Sequence, residues 1–468
     1  MEHEFDKTSI SRLVLKLGIP AMCAQFFNIL YSIVDRAFVG HIAADGETAL
    51  ASIGICAPVL TAITAFSSLV GIGGASTMSI FIGQKDNKNA RLAMNNAFIL
   101  LLFLSAVITI LSLIFTKPLL YALGCSNAMY PYASRYFVIY VMGTAAVLCG
   151  TGMNQFILAF GNAKRGMFAI MIGAIVNTIL DPVFIYGFDM GIQGAAVATV
   201  IAQFCVFLYV ICFLFSDKAV FRLGVSRLDF YIVRRILMIG CLPFFIMLFD
   251  NLLVISLNFI LRQYGGNIMG DRYISCAAVV QSFMILVFYP AQGITTGCGT
   301  LYSYHYGAGH YEKIMQVFRY VFYLCAAYML ILCITAQLIP EAFARIFVQE
   351  ENTVILSASC IRKYTLGLLG VAVQYAIVDG LTAMGQIRFA LPISFFRKIL
   401  YIICVFLLPV FCPLENVFFA ETVSDIAGAS VTAIAFLTII IPKFRVKMNS
   451  KTSRASQRYI QQHTRKSG

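Results

Sequence analysis

The sequence predicts an all-α polytopic membrane protein: twelve transmembrane helices in two six-helix lobes related by a parallel pseudo-two-fold repeat. Three observations predict it. The 468 residues are 60% hydrophobic and only 12% charged, with a mean hydropathy of +0.85. A soluble domain carries about 25% charged residues, so the surplus apolar surface has to face lipid. The apolar residues fall into twelve long runs. The second half repeats the first at an offset of 223–224 residues.

Runs of at least about 18 apolar residues are read as spans. In order they cover 14–39, 50–82, 92–116, 136–161, 166–187, 191–215, 236–262, 274–304, 318–340, 361–386, 389–411 and 417–441. Several exceed one crossing, which calls for tilt, kinks or extension beyond the bilayer. The start, MEHEFDKTSI, is acidic and polar, and the first apolar run is too long for a cleavable signal peptide. With no tryptophan, any aromatic belt has to use the 23 tyrosines.

Basic residues set the orientation. Of the Lys and Arg, 24 fall on the side that holds both termini, 7 on the other, and three (Arg36, Arg397, Lys398) inside spans. The positive-inside rule then puts both termini in the cytoplasm of a multi-pass protein of the cell (cytoplasmic) membrane. The expected organisation is an N-lobe over 1–215, a cytoplasmic linker over 216–235, a C-lobe over 236–441 and a basic tail over 442–468. The net charge of +13 gathers on that one side, which argues for membrane orientation and against a nucleic-acid partner.

The repeat is visible in quoted segments. FIGQKDNKNARLAM follows the second span and HYGAGHYEKIMQVF the eighth, with Gly83 on Gly307. LAFGNAKRGM and TAMGQIRFAL follow the fourth and tenth, with Gly161 on Gly385. Pro20 matches Pro243, Asn28 matches Asn251, Thr199 matches Thr422, Gln155 matches Asp379, and Asp35 faces Asn258. Six spans per half is an even number, so both halves start on one side. The axis then lies along the membrane normal, with a cavity between two bundles, which is a transporter architecture.

Six acids fall inside spans: Asp35, Asp181, Asp250, Asp379, Glu421 and Asp425. Each costs about 2.5–3.5 kcal/mol at mid-span, so such residues face a cavity or a partner. Asp35 and Asp181 come late in spans that run outward, at similar depth. Asn177 lies four residues before Asp181, on the same helix face. Pro182 removes a backbone donor beside the carboxylate. Thr199 of the sixth span adds a hydroxyl. Two carboxylates, an amide, a hydroxyl and loosened carbonyls suit a small hard cation or a shared proton. Asp35 next to Arg36 is not read as an ion pair, because neighbouring helix positions do not face each other. Asp250 and Asp379 lie deeper, as a possible substrate or second ion site, with pairing to Arg397 or Lys398 as the structural alternative. Glu421 and Asp425 are expected near the interface.

The 14 cysteines are scattered through apolar runs with no zinc spacing and read as small packing residues. The five histidines (His3, His41, His305, His310, His463) are placed in termini or loops. No metal motif or Ser/His pair lies within a span, so an embedded enzyme is disfavoured.

SIVDRAFVGH, GIGGASTMSIFIGQ, VNTILDPVFIY, GIQGAAVATVIAQ, YHYGAGHYEK and VDGLTAMGQIR together resemble the multidrug and toxic compound extrusion (MATE) family, in its bacterial MepA-like branch. The resemblance covers the chain to about residue 441. It implies two lobes in a V and antiport of organic cations against H⁺ or Na⁺, with no cofactor and a monomeric protein. It also implies an N-lobe ion site at Asp35, Asn177, Asp181 and Thr199. Asp250 and Asp379 look like acids that some branches use in the C-lobe. The alternative within the superfamily is a flippase or exporter of lipid-linked or polysaccharide substrates. Those proteins often carry cationic cavities, whereas the intramembrane charges here are mostly acidic.

Overall fold

The computed structural model describes residues 5, 8–40, 42, 46–127, 129–224, 226–348 and 350–446. Side chains are described for these residues except 36, 37, 40, 46–48, 50, 267, 268 and 271. The described residues are almost wholly helical. Ten helices are long and apolar enough to cross a membrane, and two bent pairs bring the total to twelve. We number them α1 (10–40), α2 (Gly46–Gly83), α3 (Asn87–Ile114), α4 (Tyr130–Met142 with Thr144–Ala159), α5 (Ala163–Gly187) and α6 (Ile192–Phe215). The second half holds α7 (Phe230–Gly266), α8 (Arg272–Ala308), α9 (Tyr311–Leu338), α10 (Glu351–Thr365 with Leu368–Ala383), α11 (Ile387–Phe411) and α12 (Leu414–Val446).

Local chemistry sets several ends. The Asp86 carboxylate accepts from Asn89 N at 3.1 Å and starts α3. Asp229 accepts from the backbone of Tyr231 and Ile232 and starts α7 at Phe230, inside the segment read as linker. The linker is docked, since Gly224 N donates to Asn95 of α3 at 3.1 Å. At the far end, the Thr353 hydroxyl and the Arg272 guanidinium hold the Glu350 carboxyl below its usual range and tie α8 to the start of α10.

The two bent helices are repeat partners. α4 bends by 53° at Gly143 and α10 by 45° at its Leu366–Gly367 break, positions that the 224 offset superposes. The lobes meet along α2 against α7 and α8, and α1 against α8. The crossing of α2 and α8 is reciprocal. A Cβ on Gly83 would stand 2.1 Å from the Tyr304 carbonyl oxygen, and one on Gly307 2.1 Å from that of Ile80. Ile80 and Tyr304 are themselves repeat partners, so the pseudo-two-fold axis runs through this contact. Only glycine allows backbones that close. The crossing lies at the basic end, where Phe5 packs against Tyr304 and Phe444 against Tyr311.

Large apolar side chains face outward along the helices, such as Leu102, Phe103 and Ile110 on α3 and Leu330, Ile331 and Ile334 on α9. This is the lipid-facing surface that the composition demanded. The fourteen cysteines are free thiols, half of them buried. His305 departs from its expected loop position. It lies in the last turn of α8, fully buried, 5.8 Å from the His310 ring. His3, His41 and His463 lie outside the described residues.

Candidate functional site

The N-lobe brings its four expected residues to one place. α1 packs along α5, and half-buried Asp35 stands close enough to Asp181 for their charges to interact. Asn177 and Asp181, one turn apart, are 1% and 0% exposed. The Asn177 amide donates to Asp181 Oδ1 at 3.1 Å and reaches Thr199 Oγ1 of α6 at 3.4 Å. Asn177 Oδ1 and Asp181 Oδ2 are buried without a hydrogen-bond partner among the described residues. Orphaned buried acceptors are rare and costly, and a proton or a small cation would satisfy them. The Arg36 side chain lies outside the described residues, so its relation to Asp35 is not part of this geometry.

Backbone chemistry supports the site. The regular part of α5 ends at Pro182, and one wider π-turn follows over Val183–Gly187. Such turns gather at functional sites. The Tyr186 hydroxyl then donates to the Phe38 carbonyl at 2.7 Å, joining the end of α5 to the end of α1. Tyrosines complete the surroundings. Tyr31 lies one turn before Asp35, near enough to both carboxylates for their charges to act on it, and Tyr136 of α4 is near enough to Asp35 for the same. Neither was singled out from sequence. The i−4 spacing from Asp35 was available for Tyr31, whereas Tyr136 needs the packing of α4.

The C-lobe acids separate. Asp379 Oδ2 accepts from Thr295 Oγ1 at 2.6 Å. Both line a cleft between the lobes with Gln155, Gln292, Thr300 and Pro243. Gln155 and Asp379, superposed by the repeat, thus face one space. Asp250 is about half exposed and ion-paired to Lys398. It extends the face of α7 on which Leu242, Pro243 and Ile246 line the cleft. For Asp250 the structural alternative weighed from sequence is therefore realised, while Asp379 has a threonine rather than a base.

Glu421 and Asp425, expected near the interface, are 4% and 1% exposed and packed inside the C-lobe. Arg397 donates to Glu421 at 3.1 Å and to Asp425 at 2.6 Å, and the Tyr364 hydroxyl donates to Glu421 at 3.2 Å. The two acids are one turn apart on α12 and face adjacent bases on α11. That i, i+4 spacing beside a paired Arg-Lys was the available signal.

A family model described as MatE matches residues 20–183 and 246–407, one segment in each half. The chain belongs to the MatE family. It is accordingly a membrane transporter rather than an enzyme. MatE relatives include the multidrug export protein MepA of Staphylococcus haemolyticus (strain JCSC1435). It is 23% identical over 441 residues, covering 93% of this chain and 94% of that protein. MepA of Staphylococcus aureus (strain MSSA476) is 20% identical over 440 residues, covering 94% and 95%. Solved transporter structures share the fold. One, described as the outward-facing conformation of a multidrug resistance MATE family transporter of the MOP superfamily, superposes with a TM-score of 0.87 at 20% identity, covering 95% of this chain and 98% of that one. Another, from Pyrococcus furiosus Vc1 (DSM3638), is described as a MOP superfamily transporter whose binding pocket has reverse polarity. It gives 0.85 at 21% identity, covering 92% and 95%.

Proposed function

We propose that this protein is a secondary active multidrug exporter. It moves lipophilic organic cations out of the cell in exchange for H⁺ or Na⁺, by alternating access. The observation that carries the reading is the N-lobe pair Asp35 and Asp181, with Asp181 buried beside a proline break and its Oδ2, like Asn177 Oδ1, unsatisfied among the described residues. The names of the MepA relatives support the cargo. The lobes follow the division expected from sequence, 1–215 and 236–441 joined by 216–235, except that α7 starts at Phe230 and α12 runs to Val446, with both termini and the tail 442–468 in the cytoplasm. The working unit is one chain.

The closest inter-lobe crossings are at the basic end, which supports reading this state as closed to the cytoplasm and open outward. In that state Asp35 and Asp181 take up the coupling ion, with Asn177 and Thr199 completing its shell. Neutralising the carboxylates removes their mutual repulsion and lets α1 and the π-turn of α5 repack. The N-lobe loses negative charge and the organic cation leaves. The lobes then rock about the α2–α8 crossing and the ion departs inward. Coupling requires that ion and cargo favour different states or compete for one charge. The rival cargo, an anionic lipid-linked sugar, would need free positive charge in the cleft. Of the three bases inside the spans that favoured it, Arg397 and Lys398 are spent on Glu421, Asp425 and Asp250, and the Arg36 side chain lies outside the described residues.

Purified protein in liposomes tests this. Vesicles carry a fluorescent lipophilic cation and receive a Na⁺ or a pH gradient separately. We expect one gradient to drive cation movement in the wild type and not in Asp35→Asn. Movement untouched by the substitution would reduce Asp35 to a structural residue. No movement under either gradient would favour the rival cargo.

A further inference from the structure

A second charged crevice lies away from the transport site. At the basic end, Arg234 and Arg235 in the first turns of α7 and Arg388 at the start of α11 line one pocket with Tyr231, Tyr306 and Gln386. No acid lines it, and among the described residues none of the three arginines forms an ion pair. The Arg235 guanidinium sits 4.7 Å over the Phe81 ring of α2, and that of Arg388 5.0 Å over Phe389. Stacking positions these groups without using their N–H donors. Three like charges in one crevice repel each other unless an anion joins them.

The backbone adds to the same field. Gly385, at φ +71°, turns the chain so that α11 begins in the pocket. Gln386 at its N-cap position makes no side-chain capping bond. The first-turn N–H groups of a helix lack intrahelical acceptors and favour a phosphate. The matching turns differ in what lies over them: Phe5 stands 3.4 Å from where a Cβ on Gly161 (φ +77°) would be, and Ile239 stands 3.2 Å from one on Gly385, which still lines the pocket. The pocket floor is apolar, with Met238, Ile239 and Met384, as suits a ligand with a hydrocarbon part. A further base, Lys443 near the end of α12, donates to Gln386 at 3.1 Å and lies 4.7 Å over the Phe389 ring.

We propose that this crevice binds the headgroup phosphate of an anionic phospholipid. The guanidinium groups and the start of α11 hold the phosphate, and the glycerol backbone lies on the apolar floor. Basic pockets between helices at this depth recognise such headgroups, at about 1 kcal/mol per basic residue.

The test uses the full chain in detergent, titrated with phosphatidylglycerol, phosphatidylcholine or inorganic phosphate. Native mass spectrometry counts bound lipid, and thermal unfolding reads the shift. We expect phosphatidylglycerol to be retained and to raise the melting temperature. Binding should weaken about fivefold for Arg388→Gln alone and on the order of a hundredfold for Arg234→Gln, Arg235→Gln and Arg388→Gln together. A control that neutralises Lys85, Lys88 and Arg91 should bind as the wild type does. Equal retention by the triple variant and the control would overturn the proposal, and so would equal retention of phosphatidylcholine. A full melting shift with inorganic phosphate would overturn the lipid as the source of the phosphate. If the triple variant fails to fold, the single variant decides by the same criteria.

Discussion

The two lobes share one backbone plan and use their buried charge in opposite ways. In the N-lobe, Asp181 and Asn177 are sealed from solvent with acceptors unsatisfied. In the C-lobe, on the corresponding helices, Arg397 bridges Glu421 and Asp425, and Lys398 holds Asp250. The contrast is sharp at the two helix breaks. Gly143 rests against Val200, while Gly367 rests against Asp425. One lobe is thus left with buried acceptors unsatisfied among the described residues, which on the proposed function a ligand completes, and the other completes its own network. A transporter needs a lobe that changes with ion occupancy and gains from one that does not.

The largest effect should come from breaking the satisfied network. Arg397→Met leaves Glu421 and Asp425 buried without their cation. Removing one member of a buried ion pair costs about 3–5 kcal/mol. We expect a large loss of thermal stability in detergent, recovered in part when Glu421→Gln and Asp425→Asn are added. Unchanged stability in Arg397→Met would show that the C-lobe charges are not mutually dependent.

The same experiment on the other lobe should read differently. Asp181→Asn removes a charge that the protein itself does not compensate, so stability should change by less than about 1 kcal/mol or rise. Gradient-driven transport should fall by about a hundredfold or more, equivalent to about 2.7 kcal/mol. Loss of stability together with loss of transport would place Asp181 in the structural class of Arg397.

How much of this was legible follows from what a sequence carries. Hydrophobic run length and basic-residue asymmetry depend on local composition, so all twelve spans were found within a few residues at most ends. Gly83 and Gly307, which fixed the repeat register, lie at the close crossing of α2 and α8, a contact that the register alone did not predict. In the N-lobe, Asn177 and Asp181 share one helix and a spacing, so their joint placement was legible. The pairing of Glu421 and Asp425 with Arg397 was not, because it depends on how α11 rotates against α12. The same holds for Tyr136 beside Asp35. His305 was misplaced because α8 runs a turn beyond its apolar stretch.

The smallest effect we predict bears on where the lobes meet. Asp250 sits on the cleft-lining face of α7, about half exposed, with its charge partly cancelled by Lys398. Lys398→Met keeps the aliphatic bulk and returns that charge to the cleft. A lipophilic cation there should bind about tenfold more tightly, which is about 1.4 kcal/mol. A neutral dye of similar size should show no gain, since only the charge has changed. Equilibrium binding of both probes to the purified variant checks this. A gain for both would mean that the cleft has been reshaped, and a gain for neither would mean that Asp250 lies outside the path of the cargo. A gain for the cation alone would make Lys398 a residue that lowers affinity, and weak binding at that point favours release of cargo over its retention.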